Sequence, residues 1–142
     1  MASVKQLLDR KGTALYCVSP EDPVLEAIRQ MADRHVGALL VMKGDELVGI
    51  VSERDYARKV ILMGRSSRDT PVWQIMSTPV HTVSSTQTVD ECMRLMTERR
   101  VRHLPVMDRG RVAGMISIGD LVKAVIEDQK QTIEQLESYI HS

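Results

Sequence analysis

Aromatic side chains are scarce: the 142-residue chain has no phenylalanine, one tryptophan and three tyrosines. So few rings cannot build the stacking platform on which single-stranded nucleic acids are held. Cysteine is nearly absent too. Cys17 and Cys92 stand alone, outside any C-x-x-C or zinc-like spacing, which excludes a disulfide framework. The stretch Ser3 to Lys11 that follows Met1 is polar and helix-like rather than an apolar signal core, so a reducing, cytoplasmic setting is expected. Neither sign of charge dominates, because 19 Lys and Arg balance 19 Asp and Glu; no global field draws the chain to a nucleic-acid backbone or an anionic membrane, and any anion site must be local. No apolar run approaches the roughly 20 residues of a membrane-spanning helix. His35, His81, His103 and His141 are dispersed, without the i, i+4 pairing of a helical metal site.

What the chain does have is the same passage twice. Val18 to Tyr56 aligns without a gap on Val83 to Leu121, a shift of 65 residues, and fourteen of the thirty-nine aligned positions are identical. With 43% hydrophobic residues, the chain suits one compact domain whose core is shared by two half-domains. The expected boundaries are 1–64 for an N-terminal helix and the first repeat, 65–71 for a linker, and 72–142 for the second repeat with an extended C-terminal helix.

Within each copy, a β-branched strand (Ala14 to Val18, or Val80 to Val83) and a turn lead into an amphipathic helix. That helix is marked by Val24, Ile28 and Met31, or by Val89, Met93 and Met96. Two short apolar strands follow, Ala38 to Met42 with Leu47 to Val51, and Leu104 to Met107 with Val112 to Ile116. Turns at Lys43-Gly44-Asp45 and Asp108-Arg109-Gly110 make each pair a hairpin. A second helix starts at about Glu53, to about Met63, and at about Ile118. The unit reads β-α-β-β-α, an α/β (α+β) fold of tandem repeats. The last helix outruns its counterpart and carries apolar positions Val122, Val125, Ile126, Ile133, Leu136 and Ile140; such a helix usually leans on a partner chain.

Each repeat ends in the same motif, Gly49-Ile50-Val51-Ser52-Glu53-Arg54-Asp55 and Gly114-Met115-Ile116-Ser117-Ile118-Gly119-Asp120. Strand, small polar residue, then helix is a setting in which free N–H groups can face an anion. An aspartate there can accept both hydroxyls of a ribose. The same Ser-x-x-Asp spacing is also a plain capping box, which stabilises a helix start with no ligand.

These motifs, the repeated unit and the strand Arg100-Val101-Arg102-His103-Leu104-Pro105-Val106 resemble the tandem CBS (cystathionine-β-synthase-type) domain pair, or Bateman module. Ser52 to Lys59 followed by Gly64-Arg65-Ser66-Ser67 is similar to small stand-alone members. The resemblance implies two repeats packed about a pseudo-two-fold axis, with an adenine nucleotide in one or both clefts between them. It also implies a homodimer forming a flat disc of four repeats. Carried over by position, Asp55 and Asp120 would hold ribose hydroxyls beside Ser52 and Ser117. Tyr16, Val18 and Val36, and Val80, Thr82 and Val101, would sandwich the adenine. Arg102 and His103 would reach phosphates. The first repeat has Gly37 and Ala38 in place of that basic pair, so Arg54, Arg58 or basic groups crossing from the other repeat would serve there and the two sites should differ.

The implied role is non-catalytic, energy-sensing regulation. AMP is the leading ligand because the basic candidates are few, with ADP, ATP, NADH and S-adenosylmethionine open. The rival reading is a ligand-independent dimerisation scaffold whose Ser-x-x-Asp motifs only cap helices. A catalytic Ser117, His103, Asp120 triad is disfavoured, because Asp55, the mate of Asp120, has Ala38 where a histidine would be needed.

Overall fold

The computed structural model describes residues 2–141, and the chain divides into two compact units, Ala14–His81 and Met1–Thr13 with Thr82–Ser142. The first unit holds β1 (Cys17–Val18), α2 (Val24–Arg34), β2 (Ala38–Lys43), β3 (Glu46–Ser52) and α3 (Glu53–Tyr56). The second holds α1 (Val4–Lys11), α4 (Val89–Arg99), β4 (His103–Asp108), β5 (Arg111–Ser117) and α5 (Ile118–His141). The mixed α/β class and the doubled β-β-α order match the sequence. The grouping differs, because the expected boundaries put the N-terminal helix with the first repeat and contacts place it in the second unit.

Duplication is visible in the cores. Val18, Val24, Ala27, Met31, Leu39, Val41 and Val51 fill one core, and their mates 65 residues on, Val83, Val89, Cys92, Met96, Leu104, Val106 and Ile116, fill the other. Each fully buried aliphatic side chain of this size contributes about 1.5–3 kcal/mol. Both hairpins are antiparallel and both shift register at the same place, between Val41 and Met42 and between Val106 and Met107. Helices α2 and α4 both end on a left-handed non-glycine residue, His35 (φ 56°) and Arg100 (φ 55°), whose N–H reaches back to Met31 and Met96. This is the αL close of a helix.

The opening strands are shorter than the sequence suggests. β1 pairs with β2 in parallel over two residues, and Val83 forms only an isolated bridge to Val106. The cause lies at Pro105. Its mate Leu40 donates its N–H to the Tyr16 carbonyl, a bond that proline, lacking an N–H, cannot make. The expected linker is also structured. α2 begins after Pro23, which has no capping side chain, and the N–H groups of Val24 and Leu25 donate to the carbonyls of Thr70 and Ser67 instead. Thr70 is buried as a result. Helix α3 widens after one turn: over Ala57–Ile61 the bonds run from i to i−5, as from Leu62 N–H to the Ala57 carbonyl.

The motif glycines admit the segments that complete each unit. A Cβ on Gly49 would lie 2.6 Å from Met76 Sδ and 2.9 Å from its Cγ, and one on Gly114 would lie 2.8 Å from Leu8 Cδ2. Met76 follows a short 3-10 turn, Val72–Gln74, and Leu8 belongs to α1. We expect Gly49→Ala to cost about 1–3 kcal/mol through overpacking. Urea unfolding of Gly49→Ala, Met76→Ala and the double variant checks this: the double variant should lose less than the sum of the singles.

Candidate functional site

In both repeats the second hairpin strand runs directly into a helix, and the serine at the junction holds a reciprocal pair of bonds with the aspartate three residues on. Asp55 N–H donates to Ser52 Oγ at 3.2 Å while Ser52 N–H donates to Asp55 Oδ2 at 3.0 Å. Asp120 N–H donates to Ser117 Oγ at 3.2 Å and Ser117 N–H to Asp120 Oδ2 at 2.8 Å. The capping role weighed from sequence is therefore present at both junctions.

Beyond the caps the two carboxylates diverge. Asp55 is buried, and its Oδ2 also accepts from Ser52 Oγ at 3.0 Å. Its Oδ1 accepts from Ser77 Oγ at 3.2 Å and pairs with the Lys59 ammonium at 3.1 Å. A carboxylate has about four lone-pair positions, so Asp55 is saturated by groups of its own unit. Asp120 is different. Lys11 Nζ reaches Oδ2 at 2.6 Å and the Met115 carbonyl at 2.6 Å, and Oδ1 has no partner among the described residues. Every buried side-chain oxygen or nitrogen among those residues is bonded, so Oδ1 is open to solvent.

The second junction also gathers the basic pair. His103 lies directly across the ladder from Ser117, and the Arg102 carbonyl accepts the N–H of Ile118. Burial lowers the His103 pKa, the positive charges of Lys11 and Arg102 lower it further, and Asp120 opposes them; the imidazole is neutral near pH 7. Burial pushes Asp120 upward, but the Lys11 ammonium and the Ser117 N–H outweigh it and hold the carboxyl below its ordinary value. Lys11, His103, Ser117 and Asp120 thus form one polar cluster, and the Arg102 charge acts on its His103. At the first junction Ala38 faces Ser52, and Arg54 and Arg58 make no ion pair among the described residues.

The residues expected to wall an adenine fare unevenly. Tyr16 is half-buried with the Arg34 guanidinium 5.1 Å from its ring centroid. Val36 and Val101 are partly buried against their cores. Val18, only 4% exposed, lies in the core of its unit. Val80 is half-buried and Thr82 exposed, in different units. Sequence reasoning missed Lys11, Lys59 and Ser77 as partners of the aspartates. Lys59 carries a local signal, the i, i+4 spacing from Asp55; Lys11 is 109 positions from Asp120 and carries none. Cys92 is an inert core thiol, pushed up to about 11 by burial and the nearby Glu91 carboxylate. Among the described residues no cluster of His, Cys, Asp and Glu could hold a metal ion, and no helix is long and apolar enough to cross a membrane.

Two β-β-α units, each closed by a glycine, a capping serine and an aspartate, define a tandem repeat module. The family model described as "CBS domain" matches twice, over residues 4–61 and 72–127, and the chain belongs to the CBS domain family. It is 42% identical over 134 residues to the CBS domain-containing protein CBSX3, mitochondrial, of Arabidopsis thaliana, covering 91% of this chain but 65% of that protein's length. A solved CBS-domain protein from Burkholderia ambifaria MC40-6 superposes with a TM-score of 0.87 at 53% identity, covering 90% of this chain and 96% of that one. The CBS domain pair of protein MJ0100, solved in complex with 5'-methylthioadenosine and S-adenosyl-L-methionine, shares the fold at TM-score 0.80 and 21% identity, covering 90% of this chain and 98% of that one.

A carboxyl whose folded pKa is depressed stabilises the fold above its unfolded pKa, and that contribution is lost as pH falls through the folded value. Replacing Lys11 by Met should raise the Asp120 midpoint and move acid unfolding to higher pH. Carboxyl-carbon NMR titration of both proteins checks it.

Proposed function

We propose that the chain is a regulatory, non-catalytic module that binds an adenine nucleotide through Asp120, with AMP as the favoured ligand. The observation that carries this is the open Oδ1 of Asp120, whose carboxyl is held ionised by Lys11 and Ser117 with His103 across the ladder. Vicinal ribose hydroxyls are donors and need such an acceptor. The Lys11 ammonium at Asp120 and the Arg102 charge that acts on His103 suit a phosphate, and with His103 neutral they are only two charges. That favours one phosphate over three, and orders the candidates AMP, then ADP and ATP, with NADH and S-adenosylmethionine requiring contacts beyond the cluster. The adenosine compounds bound by the MJ0100 domain pair support the same ligand class.

Asp55 plays the other part. Four donors already occupy its oxygens, so a ribose there would have to displace Lys59 or Ser77. We therefore assign it to holding the first repeat together, which is the capping role that the scaffold reading gives both motifs. A ligand that prefers one arrangement of the module by about 1.4 kcal/mol shifts a balanced equilibrium tenfold. One hydrogen bond to a charged group, about 1.5–3 kcal/mol, is large enough to do so.

Calorimetric titration of nucleotide-free protein with AMP, ADP, ATP, NADH and S-adenosylmethionine tests this. We expect one AMP per chain, with affinity reduced about tenfold or more by Asp120→Asn. Asp55→Asn should lower thermal stability and leave the stoichiometry at one. A folded wild-type protein that binds none of the five leaves both motifs as helix caps and favours the scaffold.

A further inference from the structure

Helix α5 carries two apolar stripes. One, with Leu121, Ala124 and Val125, packs on the core of its own unit. The other lies about 100° round the helix and is solvent-facing along its whole length: Val122 is 44% exposed, Ile126 57%, Ile133 54%, Leu136 57% and Ile140 75%. Every residue from Gln129 to His141 is exposed. An isolated helix of that length is marginal in water, because helices draw most of their stability from packing an apolar face. Something must cover this one.

The spacing says what. From Val122 the exposed positions step by four, three, four, three and four residues through Ile126, Gln129, Ile133 and Leu136 to Ile140. In heptad terms Ile126, Ile133 and Ile140 occupy a, and Val122, Gln129 and Leu136 occupy d. β-branched residues at a with leucine at d favour two parallel strands, and a single polar layer fixes register. We propose that α5 pairs with α5 of a second copy of this chain as a parallel, in-register, two-stranded coiled coil.

Polar matching and charge both select this orientation. In register, Gln129 meets Gln129 of the other copy, so the two amides can bond each other. The flanking e positions Lys123, Lys130 and Glu137 then lie beside Ile118, Val125 and Thr132 of the other helix, with no like-charged pair. Reversing one helix sets each Gln129 against Ile133, leaving an amide without a partner, and brings the two Lys130 ammonium groups together.

The proposal is independent of the nucleotide reading, and its test uses the full chain. Sedimentation equilibrium should give a dimer for the wild type and a monomer for Ile133→Glu with Leu136→Glu. Those positions lie outside both cores, so circular dichroism should show the units still folded. In a Cys17→Ser background, Leu136→Cys should form a disulfide-linked dimer on mild oxidation, because in-register d positions face their own copies. A monomeric wild type, or a dimer indifferent to the two glutamates, overturns the pairing and assigns the stripe to another partner. A dimer lost on glutamate substitution but never crosslinked through Leu136→Cys overturns the parallel register.

Discussion

The contact between each motif aspartate and a lysine ammonium ties the junction of each repeat to the segment that completes its unit. In the second unit Lys11, the last residue of α1, spans Asp120 and the Met115 carbonyl, while Leu8 of the same helix lies over Gly114. In the first unit Lys59 spans Asp55 and the Ile75 carbonyl, and Met76, one residue on, lies over Gly49. Duplication has thus kept the arrangement while changing which element supplies the cation. The glycine provides the space, the serine and aspartate close the helix start, and the lysine joins that start to the covering segment.

From this shared arrangement comes the difference between the sites. Where the cation comes from the motif's own helix, the serine hydroxyls of Ser52 and Ser77 also reach the carboxylate and fill it. Where it comes from α1, one oxygen stays open, with a basic strand end alongside. A saturated carboxylate stabilises structure, and a half-open one can take a donor from outside. Two copies of one motif can therefore be divided between structure and binding without any change in the aspartate itself.

Much of this was legible in the sequence because duplication tests each local reading twice. Alternation and helical spacing agreed at mates 65 residues apart, which located both hairpins, both amphipathic helices and both caps. Other features escaped because their causes are not local. The assignment of α1 to the second unit depends on Leu8 meeting Gly114, and the Lys11–Asp120 pair joins opposite ends of the chain. Pro105 could have announced the shortened ladder, since its mate Leu40 must donate, but only once strand pairing is known. The i−5 bonding after Tyr56 has no residue signature, and the buried linker threonine looked like any polar connector position. The family resemblance puts Val18 in a binding wall, and its β-branched strand position equally suits the core in which it lies.

The response of the two aspartate side chains to ligand distinguishes a binding carboxylate from a structural one. In carboxyl-carbon NMR spectra of the full chain titrated with AMP, the Asp120 resonance should move saturably while that of Asp55 stays in place. Equal movement of both, or movement of Asp55 alone, would contradict the division of the two carboxylates between structure and binding.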